Sequence, residues 1–499
     1  MKKKTIIGID FGTTNSLVST ILEKKIKIIN NFNKKKFFPS IIHISNKKIS
    51  IGWKALKYLS SDAQNTISSI KRFIGISYNS IKKNINIPNI ISENNKKELV
   101  FHTKIGKMNV SCIIEKFFEY IKKKTEKKFK NSIHGAVITI PAYFNNIQKN
   151  IVRKAAETVN LKILRLLNEP TAAAIAYGLE KKKKGIICVY DLGGGTFDVS
   201  ILKISKGIFE VLSTNGNCKL GGDDFDKKLV YLLISKIKKK PLLNKILFKK
   251  LLIIAEKIKI QLSRKSLVKT KFLNEKIICS KKEFNQLIYP FIKKTLKILK
   301  IALNDANISK KKIKDIILVG GFTYIPLIHE CIYSFFKIKP LTSINPMKLV
   351  AKGAGLHANF LYFNKKKNRK KSILLLDVIP LSIGIELVGG LMEKMIKKNT
   401  KIPTEVIKYF TTFKDNQTGF CINIYQGEDK YTKNCQLLTK FKIKNIIPKP
   451  AGKIKIKVIF QIDTDGLLSI IIEEKKSDII HNIKIDTTYQ QNKSITINK

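Results

Sequence analysis

Two aspartates end apolar runs and open glycine-rich turns. Asp10 closes Ile6-Ile7-Gly8-Ile9 and is followed by Gly12, Thr13 and Thr14. Asp191 closes Cys188-Val189-Tyr190 and is followed by Gly193, Gly194, Gly195 and Thr196. A third apolar run, Ile316 to Val319, leads into Gly320 and Gly321. Glycines at such turns let backbone amides approach an anion closely, and the threonine hydroxyls add donors. A carboxylate at a strand end can hold a hydrated magnesium ion, which takes few protein ligands beside phosphate oxygens. Together these parts suit phosphoryl transfer. No GxxxxGK[ST] run occurs, so the chemistry is not that of a P-loop. Each glycine cluster alone also fits an ordinary hairpin turn. The weight rests on three clusters combined with two strand-end acids.

The elements that must carry these residues follow from periodicity. Each aspartate sits in the same unit of apolar strand, acid, glycine turn and second strand, and this repetition points to two related lobes. Helical spacing appears over Val152–Val159, Pro170–Leu179 and Leu251–Leu262. Pro170 after Asn168-Glu169 has the form of a helix start. Lys365 to Lys371 reads as a solvated connector, and Ile373 to Leu376 then leads to Asp377. Beyond about residue 379 the pattern becomes that of strands. Lys453 to Ile462 alternates with period two, Asp465-Gly466 marks a hairpin turn, Leu467 to Ile472 returns, and Cys421 to Gln426 is a further strand. The expected division is an α/β domain over 1–370, a hydrophobic linker over 371–378, an all-β domain over 379–490 and a short polar tail over 491–499.

The 499 residues carry 96 Lys+Arg against 36 Asp+Glu, a net charge of +60. Nucleic-acid binding is one reading of such a charge. Compositional drift toward lysine, isoleucine and asparagine is the preferred one, because only Arg72, Arg153, Arg165, Arg264 and Arg369 are arginines and the lysines are spread along the chain. No specific nucleic-acid partner is expected. The seven cysteines have no CxxC spacing, so neither a zinc site nor a disulfide framework is indicated. Asp10 interrupts the apolar N-terminal run too early for a signal peptide, and no apolar stretch is long enough to span a bilayer. The expectation is a cytoplasmic monomer without membrane attachment.

Five longer segments carry a resemblance: Ile7–Ser16, Ile138–Phe144, Leu166–Leu179, Val189–Ser200 and Leu220–Asp226. In sequence, order and spacing they resemble the seventy-kilodalton heat-shock chaperone family from about residue 5 to 488. Asn65–Gly75, Val378–Glu386, Phe410–Thr418 and Ile447–Gly452 look most like its specialised HscA-type branch, which serves iron–sulfur cluster assembly. The housekeeping chaperone of bacteria is the next resemblance. The family implies an actin-like, ribonuclease-H-like two-lobed ATPase followed by a β-sandwich that grips peptide, with ATP and magnesium as ligands. A J-protein co-chaperone and an iron–sulfur scaffold protein, or another client peptide, are the implied partners.

By this resemblance Asp10 and Asp191 position magnesium through water, and Lys71 stands near the γ-phosphate and the attacking water. Glu169 and Asp198 match acids that orient the water or the metal shell, and Thr196 matches a hydroxyl near the γ-phosphate. Gly12, Thr13, Thr14, Asn15 and Gly193–Gly195 match phosphate contacts. Gly221, Gly222, Glu256, Lys259, Ser263, Gly320 and Gly321 match the adenosine side. Read without the family, Glu169 is a first-turn helix acid, and Glu256, Lys259 and Ser263 form one solvated helix face. Arg165 matches the J-protein contact, and Pro141 and Lys149 match positions that relay signals between domains. Leu375, Leu376 and Asp377 match the docking linker, which otherwise reads as a buried strand. Ile385, Val388, Phe410, Phe413, Phe420 and Ile422 match positions lining the peptide channel, which otherwise read as sandwich core.

The chain departs from the family pattern in places. Phe322 and Tyr324 replace a serine and the arginine that usually flanks adenine, and Tyr324 can stack in its place. Ile260 stands where many relatives carry a basic residue, and Asn146 and Met347 stand where acids are usual. No helical lid is expected after Ile485-Asp486, and faster peptide exchange would follow. A sugar kinase or filament protein on the same scaffold would need neither the β domain nor the linker. A non-hydrolysing binding module is opposed by the retained Asp10, Lys71, Glu169, Asp191 and Thr196.

Overall fold

The computed structural model describes residues 4–496 apart from 30–36, 82–86, 88, 96–97, 182–183, 206, 239–241, 273–274, 344, 365–372, 445, 475–479 and 484–491. The basic connector expected over 365–371 therefore lies outside the described residues. Two compact units are present. One holds residues 1–143 and 154–375, and the other holds 144–153 and 376–499. The division at 375/376 falls inside the expected linker.

The first unit is mixed α/β and contains the repeat expected from the sequence. In one sheet, strand Thr5–Asp10 pairs antiparallel with Asn15–Leu22 and parallel with Ile133–Ile140. In the other, Gly185–Leu192 pairs antiparallel with Phe197–Ser205 and parallel with Ile313–Val319. The two arrangements are the same hairpin beside the same kind of parallel neighbour. Each central strand is apolar on both faces, as strands covered on both sides must be. Ile7, Ile9, Val189, Tyr190 and Leu192 are wholly enclosed. The acids can only appear where these strands end.

Helices Glu169–Lys181 and Leu349–Asn364 cover the first sheet at close range. Their approach depends on missing side chains. A Cβ at Gly353 would overlap the Ala172 carbonyl, and one at Gly8 would overlap the backbone of Gly355. The helix expected at Pro170 begins one residue earlier, at Glu169, with the proline in its first turn, where its absent N–H costs nothing. The other two helices also extend further toward their N-termini than the sequence indicated, as Asn146–Thr158 and Lys245–Leu262.

The second unit is built from two antiparallel-rich sheets. One is ordered Met392–Ile396, Ile383–Glu386, Gly419–Gln426, Gln436–Lys444 and Asn492–Thr496. The other is ordered Thr404–Phe410, Ile456–Ile462, Leu468–Glu474 and Ile480–Ile483. Period-two burial places Ile456, Val458, Phe460 and Ile462 inside, and Gly466 turns the hairpin with φ of 73°. Asn492–Thr496, assigned to a polar tail from its composition, forms a strand parallel to Gln436–Lys444 that sets Ile495 beside Ile443. Its alternation is too short to stand out in sequence.

Replacing Gly353 by alanine forces the Ala172 segment to move, and overpacking of this kind costs about 1–3 kcal/mol. The denaturant midpoint of the first unit should fall accordingly. An unchanged midpoint would mean that the two helices are not in such close contact.

Candidate nucleotide site

Most of the residues expected at a nucleotide site line one cavity of about 430 Å³ in the first unit. Asp10 and Asp191 reach it from the ends of the two related strands, because the hairpin turns beyond them are almost entirely glycine and threonine. Gly12, Thr13, Thr14 and Asn15 line it from the first turn, and Gly193, Gly194 and Thr196 from the second. A Cβ at Gly194 would strike the Thr14 hydroxyl, so the two turns close on each other only because Gly194 has no side chain. Gly320 adopts φ of 88°, and a Cβ there would meet the Leu192 carbonyl.

Lys71 and Glu169 form a buried ion pair on the cavity wall. Glu169 is placed by the first turn of its helix. Lys71 lies on a short 3-10 turn, Ile70–Phe73, entered through Ser69 in the left-handed conformation. That turn is clamped from both sides. Ser69 Oγ donates to Asp223 at 2.9 Å, and the Arg72 guanidinium donates to Asp224 at 2.6 Å. Asp223 and Asp224, which sequence reading placed only within a recognised motif, thus hold the segment that presents the lysine.

One ammonium faces four carboxylates, buried at Glu169, Asp191 and Asp198 and half-buried at Asp10. Burial raises Asp10 to about 7, assisted by Glu169 and opposed by Lys71 and by a 3.3 Å hydrogen bond from Thr139. Burial raises Asp198 to about 7 as well, assisted by Glu169 and opposed by the 3.0 Å hydrogen bond from the Tyr143 N–H. Asp191 is pushed well above the usual carboxylate range, first by burial and then by Glu169, Asp198 and Asp10. Among the described residues, Asp198 Oδ2 and Thr14 Oγ1 are buried without a hydrogen-bond partner. Buried polar atoms are rarely left so. The excess of carboxylates suits a hydrated divalent cation, and the free hydroxyl beside glycine amides suits a phosphate.

Glu256, Lys259, Ser263, Gly320 and Gly321 also line the cavity. Lys259 is not free to turn. Its ammonium donates to Asp226 at 2.7 Å and lies 3.9 Å from the centre of the Phe322 ring. Gly195, Gly221, Gly222 and Asp198 are not on the wall. Gly222 is covered by the Phe322 ring, Gly221 abuts the Gly194 backbone, and Gly195 packs against Thr13 and Arg72. Asp198 lies behind the wall, paired across the hairpin with Asp191. Sequence reasoning noted Ile260 and Met347 only as departures, let Tyr324 stack in place of the missing arginine, and did not weigh Arg264 for the site; all four line it.

The remaining positions lie elsewhere. Pro141 is buried just after strand Ile133–Ile140, and Arg165 lies on strand Ile163–Asn168. Leu375 and Asp377 are buried and Leu376 half-buried in strand Leu374–Val378. In the second unit, Lys149 is enclosed and donates to the Asp465 carbonyl at 3.3 Å. Ile385 and Ile422 are buried, Phe410 and Phe420 half-buried, and Phe413 is 84% exposed. These five do not share one environment. Val388 begins the short turn Val388–Gly390, and its side chain lies outside the described residues.

The family model described as Hsp70 protein matches residues 6–498. A protein of Buchnera aphidicola subsp. Acyrthosiphon pisum (strain Tuc7) named "Chaperone protein HscA" is 45% identical over 97% of this chain and 79% of its own length. Its namesake from Buchnera aphidicola subsp. Baizongia pistaciae (strain Bp) is 46% identical over 97% of this chain and 95% of its own length. "Chaperone protein HscA homolog" of Histophilus somni (strain 129Pt) is 40% identical over 97% of this chain and 78% of its own length. With its strand-end acids, its buried lysine and a match over nearly its whole length, the chain belongs to the Hsp70 family.

Proposed function

We propose that this chain is an ATP-driven chaperone in which an actin-like, two-lobed ATPase of residues 1–370 is coupled through 371–378 to a peptide-gripping β-sandwich of 379–490. Its specialisation is iron–sulfur cluster assembly, with a J-protein co-chaperone and the scaffold protein as partners. The observation that carries the ATPase reading is the cavity in which Asp10, Glu169, Asp191 and Lys71 adjoin two glycine–threonine turns. The names of the relatives support the chaperone role and the branch. All seven cysteines are free thiols, which suits the reducing cytoplasm.

In this reading the amides and hydroxyls of Gly12–Asn15, Gly193, Gly194 and Thr196 bind the phosphates. Asp10 and Asp191 would hold magnesium through water, and the ion would neutralise phosphate charge. Lys71 sets positive charge against the γ-phosphate, and Glu169 fixes the lysine and orients the attacking water. Asp198 supports Asp191 from behind. Thr196 donates toward the γ-phosphate. Catalysis rests on placement and charge, with no covalent intermediate on the protein. Ile385, Phe410, Phe413, Phe420 and Ile422, with Val388, contact the client peptide.

The raised carboxylates set the pH dependence. A proton on Asp10 must leave before the carboxylate can face a cation, so binding weakens below a pH of about 7 and not above it. Mg–ATP affinity should rise about tenfold between pH 6 and 8 for one displaced proton. Calorimetry in buffers of different ionisation heat would count that proton. A flat affinity with no proton released would contradict the assignment.

The functional reading is tested by single-turnover ATP hydrolysis, alone and with a J-protein plus a scaffold-derived peptide. Joint stimulation of at least ~10-fold, about 1.4 kcal/mol of barrier, is expected. Stimulation by generic unfolded peptide but not by that pair would favour the housekeeping role. ATP binding without any hydrolysis would overturn the ATPase reading.

A further inference from the structure

Strand Asn492–Thr496 is paired unlike its neighbours. Within the two sheets of the second unit the strands otherwise run antiparallel, whereas this one lies parallel to Gln436–Lys444. Parallel pairing is slightly weaker per residue. The ladder is also short, running from Lys440 beside Asn492 to Lys444 beside Thr496. Among the described residues, no strand pairs with 436–439 on that side. A five-residue strand held this way opens more readily than the central strands of the sheets. Once it opens, Gln436–Lys444 becomes the edge of its sheet, a row of N–H and C=O groups that accepts an incoming chain.

The residues along that edge say what it would accept. Phe441 and Ile443 are buried, and Lys440 and Lys442, which alternate with them, are exposed. The register sets Lys493 beside Phe441 and Ile495 beside Ile443. It sets neutral Asn492 and Ser494 beside Lys440 and Lys442. Only Ile495 matches its neighbour in character. A segment with apolar residues beside Phe441 and Ile443 and acids beside the two lysines suits the edge better than the tail does, because opposite charges and apolar pairs on neighbouring strands are favourable. A longer segment would also pair along 436–439, which the tail leaves open.

We propose that the edge of Gln436–Lys444 is a further peptide-binding site, filled by strand addition, and that Asn492–Thr496 is its built-in competitor. The ligand is an extended polypeptide segment in which apolar and acidic residues alternate. Backbone hydrogen bonds supply the affinity, and the lysines and the apolar positions supply the selectivity. The site is separate from the peptide channel proposed above and does not depend on it.

The test uses a fluorescent peptide of the tail's own sequence, residues 492–499, and a copy carrying Asn492→Glu and Ser494→Glu. Binding is read by anisotropy on the full chain, on a chain ending at Gln491 and on full-length Ser494→Pro, which removes a backbone donor from the tail. Both variants should bind the tail peptide at least ~10-fold more tightly than the unaltered chain, because an intramolecular competitor has gone. The acidic copy should bind more tightly still. Hydrogen exchange at 440–444 should quicken in both variants and slow again when peptide is added. Equal binding by the unaltered chain and the variants would overturn the proposal, since the peptide would then sit elsewhere. Self-association of the shortened chain in place of peptide binding would also overturn it, because a second copy would be the occupant. So would lost protection at 458–460, which would make the tail an integral strand of the fold. None of these readouts depends on the channel.

Discussion

A single lysine ammonium buried among four carboxylates is the constraint on which the first unit turns. Burying charge is costly unless it is paired, and removing one partner leaves the others exposed to that cost. Lys71 pairs directly with Glu169, while Asp10, Asp191 and Asp198 remain with their affinity for protons raised. Carboxylates therefore outnumber the ammonium at this end of the cavity, and retained protons offset part of the excess. A hydrated divalent cation would offset that excess of carboxylates.

Much of the surrounding structure fixes that lysine and those acids. The duplicated hairpin fixes Asp10 and Asp191, because a strand covered on both faces can carry an acid only at its end. Glu169 depends on where its helix starts. Lys71 depends on Ser69 and Arg72, which tie its 3-10 turn to Asp223 and Asp224 of helix Gly222–Ser235. Glycines at 8, 194 and 353 permit the close approaches that bring these pieces together. In the second unit the stakes are apolar: alternation buries Val458, Phe460 and Ile470, while Phe413, in the turn after Thr404–Phe410, lies in solvent.

What the sequence made legible divides along the same physical lines. The repeated unit of strand, acid and glycine turn was readable because apolar periodicity and glycine are local signals. The β character after residue 379 was readable for the same reason. Contacts made at long range were not. Nothing in the spacing of Ser69, Arg72, Asp223 and Asp224 announces a clamp across some 150 residues of chain. Gly222 looked like a ligand contact, yet the Phe322 ring, from a segment far along the chain, covers it. The chain is an ATP-dependent chaperone of the Hsp70 family.

The central claim, that Lys71 supplies the one buried positive charge against which the γ-phosphate reacts, is tested most directly by Lys71→Met. Mg–ATP binding and single-turnover hydrolysis would be measured on the same preparation. The account predicts that binding persists within about tenfold, while hydrolysis falls by at least ~100-fold, the scale of losing one preorganised charge at the reacting group. Hydrolysis close to that of the unaltered chain would contradict it.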